Sequence, residues 1–288
     1  MKRAIRTIRQ EGFTLVELLV SLGIFLVISG AAFTLLASSQ QRSQTESQVL
    51  SSFQEARLGL DQIVRDVNDS GYPPPSFSAG IRKFFADSPF AWSQGSGYPN
   101  APCLIGTAGG GTCTTAGGDS APGDFDIIVE TNPNPQDPGS QVQWIRYQLQ
   151  GTTLMRGALP KDNGDPDTAF NPPNTPAPFV QNVVNNSPNL QVGVDAAGNP
   201  ITLFQQYPAV FPGGAPVPIF QYTCDLPSVS QAVPLPTAAC APRLPPDNSP
   251  ANIREVTITL IVKAPQPDAA SGRTRLIQLL GRGRRVNP

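Results

Sequence analysis

From Phe13 to Ala37 the chain is almost wholly apolar, and Glu17 is the one charge within it. Residues 18–36 make about 28 Å of α-helix at 1.5 Å per residue, enough to cross a bilayer core. A carboxylate near the start of such a helix is expensive and asks for a partner. The helix should also continue past the apolar run. No proline occurs between Phe13 and Tyr72, and Val49, Phe53, Ala56, Leu60, Ile63 and Val67 step by 4, 3, 4, 3 and 4. That spacing is one helical face. Arg57, Asp61, Arg65 and Asp69 recur every four residues on another face, an alternating ladder suited to solvent. Gly71 followed by Pro73-Pro74-Pro75 is a strong stop. One helix of about 55–58 residues, roughly 85 Å long, is expected. Its first half is apolar nearly all round and its second half is amphipathic.

Residues 1–11 carry Lys2, Arg3, Arg6 and Arg9 against one acid, Glu11. An ordinary secretory signal places its small-residue cut after the apolar region. Here Gly12 offers a cut before it, which would leave the helix on the mature chain as anchor and assembly element. The basic residues hold that end in the cytoplasm and direct the C-terminal body outward. A plain single-pass anchor would use the same stretch, but gains nothing from Glu17. Cleavage after Gly12 would create an α-amine on Phe13. On a neighbouring subunit, that amine and Glu17 would neutralise each other in an apolar filament core. Within one helix the two also stand at i, i+4.

The absence of histidine removes the usual general base, the Ser-His-Asp and Cys-His arrangements and every His-containing metal site. No constellation of carboxylates, Lys or Tyr replaces them, so no enzyme, metal or cofactor is expected. Removing residues 1–12 takes away four basic residues and one acid, leaving 16 Lys+Arg against 20 Asp+Glu. A mildly acidic body has no general drive toward nucleic acid. Arg282, Arg284 and Arg285 form a local basic cluster, read as a solvated C-terminal tail. Gly109-Gly110-Gly111 lacks the Lys-Ser/Thr of a phosphate loop. Asp162-Asn163-Gly164-Asp165-Pro166-Asp167 is rich in oxygen ligands, but misses the EF-hand spacing and its distal Glu. It reads first as a turn.

Four cysteines, Cys103, Cys113, Cys224 and Cys240, allow three pairings. Proximity favours Cys103–Cys113 and Cys224–Cys240, each closing a Gly- or Pro-rich loop, and the spacings are too long for a four-thiolate zinc site. Disulfides imply an oxidising compartment. Pro (32) and Gly (26) supply about a fifth of the chain, against the usual 12% or so, so long loops are expected beyond the helix. Strands are expected at 126–131, 142–149, 153–156, 189–194, 201–207, 218–224, 253–264 and 275–280, with a hairpin turn at Gln150-Gly151. An antiparallel sheet packed on the amphipathic half of the helix gives an α+β fold.

Gly12, the stretch Phe13-Thr14-Leu15-Val16-Glu17 and the apolar run after it resemble the class III leader of the type IV pilin superfamily, which includes the pseudopilins of type II secretion. The resemblance implies a pilin fold in which residues 1–12 are a cleaved leader and 13–37 the transmembrane and assembly half of the helix. Residues 38–71 would be its amphipathic half and 72–288 a loop-rich antiparallel β body. It implies a prepilin peptidase that cuts after Gly12 and N-methylates Phe13, with Glu17 in the subunit-registering role. Ala56-Arg57-Leu58-Gly59-Leu60-Asp61, Val64-Arg65-Asp66-Val67 and Ser70-Gly71-Tyr72 resemble the helix end of PilW-type minor pilins. Residues 145–149, 154–156 and 253–260 resemble later strands of that family, and J-type pseudopilins share much of the pattern.

That resemblance implies a minor pilin that joins or primes assembly of a type IV pilus. Its partners would be other pilins, the pilus assembly platform and, before assembly, the inner membrane, with the body in the periplasm and later on the cell surface. A J-type pseudopilin of a type II secretion system is the alternative. A filament-displayed adhesion or DNA-uptake subunit is a third reading.

Overall fold

In the computed structural model, residues 12, 14–77, 81–92, 98–99, 103–106, 111–114, 121–137, 139–195, 197–230, 234–244, 246–268 and 272–285 are described. By internal contacts the chain divides into Met1–Ser47 and Gln48–Pro288. Helix α1 (Leu15–Asn68) runs without interruption, as the lack of proline requires. Its end is built from its last residues. The Thr131 hydroxyl donates to the Asp69 carbonyl at 2.8 Å, the Asn68 side chain accepts from Arg284 N, and Gly71 turns the chain at φ +79°. That left-handed conformation favours glycine at a helix C-terminus.

Among the described residues the second unit carries three antiparallel sheets. The first, in the order β1-β2-β3-β4-β5, joins β1 (Phe90–Ala91), β2 (Asp126–Thr131), β3 (Gln143–Gln150), β4 (Thr153–Pro160) and β5 (Ala177–Val180). Another, in the order β11-β10-β8-β9, joins β8 (Phe220–Asp225), β9 (Thr237–Ala239), β10 (Ile253–Lys263) and β11 (Leu276–Arg284). β6 (Gln191–Val194) and β7 (Pro200–Thr202) form a two-stranded ribbon.

Helix residues 48–68 bury Val49, Ala56, Leu60, Ile63 and Val67, the face set by their spacing, with Phe53 half-buried beside them. Glycines set how closely the sheets approach this face. A Cβ on Gly283 of β11 would stand 2.5 Å from Val67 Cγ1, and one on Gly59 of the helix 2.4 Å from Val180 Cγ2 of β5. Asp66, at the same helix end, accepts from Tyr147 Oη of β3 at 2.6 Å and from Arg156 Nη2 of β4 at 3.1 Å. Gly59, Asp66 and Gly71 are therefore joints between helix and body.

Some expectations need correction. The single sheet is two main sheets and a ribbon. Residues 201–207 are not one strand: β7 ends at Thr202, and α3 (Leu203–Gln206) follows because Thr202 and Gln205 cap each other reciprocally. The basic cluster is not a solvated tail. Arg282 and Arg284 lie in β11, and Arg285 is buried against Asp225 at 3.1 Å. Arg57, Asp61 and Arg65 are exposed, as a solvated face requires, although no ion pair within 4 Å forms along that ladder among the described residues.

Candidate assembly segment

The segment around the expected cut begins at Gly12, which is exposed, with nothing within 4 Å of the position a Cβ would take. Phe13 and the basic residues 1–11 lie outside the described residues. Thr14 opens the helix: its carbonyl accepts from Leu18 N at 3.2 Å, and its hydroxyl oxygen accepts from Glu17 N at 3.3 Å. Glu17 reaches back, and its Oε2 accepts from Thr14 N and from the Thr14 hydroxyl, each at 3.0 Å. This is a capping box, in which two helix-end donors are satisfied reciprocally. Sequence reasoning assigned Glu17 to subunit pairing and missed this local role. The signal was present, since a Thr-x-x-Glu stands directly before an apolar run.

From Leu15 onward the apolar side chains of the first unit have no cover among the described residues: Leu15 is 77% exposed and Val27 74%, where the core residues of the body are near zero. Three hydroxyls inside this stretch are satisfied within the helix. Ser21, Thr34 and Ser38 each donate a hydroxyl proton to a carbonyl three residues back, at 2.8–2.9 Å. The surface offered outward is therefore apolar, which suits lipid or other apolar helices. Among the described residues α1 is the one helix long and apolar enough to cross a membrane.

The body keeps its loops in place by covalent and buried polar links. Cys103 pairs with Cys113 and Cys224 with Cys240, all four sulfurs buried. Asn248 connects the first loop to residues downstream of the second: its Oδ1 accepts from Ile105 N at 2.9 Å, and its Nδ2 donates to Ile105 O and Arg243 O. The oxygen-rich stretch at 162–167 is occupied by local structure. Asp162 Oδ1 accepts from Gly164 N at 2.7 Å, Asp165 caps the short helix α2 (Pro166–Ala169), and Asp167 pairs with Arg146 at 2.8 Å. No group of three or more potential metal ligands occurs among the described residues. Gly109-Gly110 lies outside them.

The family model of the prokaryotic N-terminal methylation motif matches residues 8–33, spanning Gly12, Phe13, Glu17 and most of the apolar run. No curated protein and no solved structure matches the chain. The motif is the class III prepilin leader and implies processing by a prepilin peptidase and assembly with other pilins. The motif, with a long apolar-to-amphipathic helix followed by antiparallel sheets, supports a pilin-type subunit of the type IV pilin superfamily.

Proposed function

We propose that the chain is a minor pilin that joins, or primes the assembly of, a type IV pilus, and that its work is non-catalytic. The methylation motif followed directly by an uncovered apolar helix is the observation that carries this reading. In it, the helix first holds the subunit in the inner membrane, with the basic end cytoplasmic and the body in the periplasm. A prepilin peptidase cuts after Gly12 and methylates Phe13, and the assembly platform then lifts the subunit out of the bilayer. In the filament the apolar helix exchanges lipid for neighbouring helices. Glu17 exchanges its Thr14 contacts for the Phe13 amine of an adjacent subunit, because a carboxylate in a dry core must be paired.

Thr14 keeps the carboxylate capped rather than bare until the partner arrives. Residues 13–37 would be the assembly half of the helix and 72–288 the displayed body. Glu17→Ala should leave cleavage after Gly12 intact but reduce incorporation into filaments strongly, as measured by immunoblotting of sheared filaments against membranes. Normal incorporation would sink the pairing. A J-type pseudopilin would use the same motif, so the deletion strain should be scored for both pili and secreted protein. Loss of pili with intact secretion supports the minor pilin.

A further inference from the structure

Away from the helix, three ionisable side chains converge at the margin of the first sheet. The Lys161 ammonium lies 2.7 Å from Asp87 Oδ2, 3.0 Å from Glu130 Oε2 and 3.0 Å from Phe85 O. The side chains of Lys161 and Glu130 have no solvent exposure, and that of Asp87 has 12%. Glu130 is fixed from both sides: the Trp144 indole N–H donates to Oε1 and the Asp87 backbone N–H to Oε2, each at 2.8 Å. The Phe85 ring completes an apolar wall 5.4 Å from Lys161 Nζ. Burial pushes the Glu130 carboxyl up from its usual 4.5, against the pull of Lys161. Such a carboxyl can hold a proton and pass it on.

We propose that Lys161 and Asp87 condense to an intramolecular amide, with Glu130 as the acid–base group beside the reacting atoms. The ammonium passes one proton through Glu130 to the Asp87 carboxylate, which leaves a neutral amine facing a neutral acid. The Nζ lone pair attacks Asp87 Cγ, a C–N bond forms, and one Cγ–O bond breaks. The departing oxygen takes the second nitrogen proton and leaves as water. No oxidant, reductant or activated group is consumed. Two features favour the step. A buried ammonium and carboxylate carry a desolvation penalty that a neutral amide does not, and fixed contact replaces a diffusional encounter. Arg82, whose Nε donates to the same Oδ2 at 2.7 Å, orients the carboxyl. The bond would tie the segment ahead of β1 to the end of the β3–β4 hairpin.

The test is mass spectrometry of the full chain purified in detergent, with a tryptic map after reduction. The expected result is a mass one water below that of the disulfide-bonded sequence, and a branched peptide joining Lys161 to Asp87. Recovery of both residues in linear peptides, with no water lost, overturns the proposal. Lys161→Met should abolish the loss of water; a loss that persists places the dehydration elsewhere and also overturns it. Glu130→Gln, checked for native circular dichroism, should leave Lys161 and Asp87 unjoined. A full yield of branched peptide in that variant removes Glu130 from the reaction.

Discussion

Gly283→Ala should destabilise the body by a predictable amount, because the atoms it meets cannot move away. The new Cβ would stand 2.5 Å from Val67 Cγ1 and 2.7 Å from Val67 Cβ. Val67 is fully buried. Its Cβ is fixed to the helix backbone, and a β-branched side chain in a helix has one strongly preferred χ1. Relief must come from separation of β11 and the helix, and overpacking of this kind costs about 1–3 kcal/mol. Loss of glycine's freedom in the unfolded chain offsets about 0.4–1 kcal/mol, so a net loss of about 1–2 kcal/mol is expected. At about 2–4 °C per kcal/mol for a domain of this size, Tm should fall by about 2–8 °C. Thermal unfolding of the full chain in detergent, followed by near-ultraviolet circular dichroism, measures it. Gly281→Ala should cost less, because its contacts are side-chain ends, Leu60 Cδ1 at 2.7 Å and Val64 Cγ2 at 2.9 Å. Gly193→Ala meets nothing within 4 Å and should be near neutral. A Gly283→Ala variant as stable as the parent, or a Gly281→Ala variant less stable than Gly283→Ala, would refute the packing argument.

Tyr147→Phe should lower stability by about 1–3 kcal/mol, the cost of leaving buried polar groups unpaired, because its hydroxyl links Asp66 at 2.6 Å and Arg156 at 2.9 Å; a lower urea midpoint would report it. Replacing Cys224 and Cys240 by Ser opens a link between residues 16 apart and should cost about 3 kcal/mol, seen as a matching fall in unfolding free energy. Partial desolvation by neighbouring atoms raises the carboxyl of Asp124, whose residue is otherwise exposed, above its usual 3.8, so the native state holds that proton to higher pH than the unfolded chain. Its contribution to stability is present below 3.8 and is lost as pH rises through the folded value. Asp124→Asn should therefore stabilise the protein at neutral pH and flatten this part of the slope, and an unchanged pH profile would contradict the assignment.

Much of the helix was legible because two simple signals agree. The apolar run and the four-and-three spacing from Val49 to Val67 define its faces, and Gly71 with the prolines defines its end. Strands with alternating or continuous apolar residues, such as 126–131 and 253–263, were also plain. β11 was read too short, since Gly281 and Gly283 lower strand propensity and Arg282, Arg284 and Arg285 look like a tail. Those glycines make sense only once the helix is seen behind them. The stretch 201–207 is not one strand because a local cap overrides its apolar content. β5, with Pro178 inside it, gave no strand signal, and an edge position is where proline is tolerated. At the start of the helix the cap formed by Thr14 and Glu17 is hard to read, because a carboxylate beside an apolar run stands out as a membrane anomaly before it stands out as a helix cap. The Lys161–Asp87–Glu130 cluster joins residues up to 74 positions apart, and no local pattern announces it.

Mass spectrometry of purified filaments tests the central claim most directly. The account predicts that this chain is present in the filaments and that its N-terminal peptide begins at Phe13, carrying a methyl group on the α-amine. Recovery of the chain only from membranes, or with residues 1–12 still attached, would contradict it.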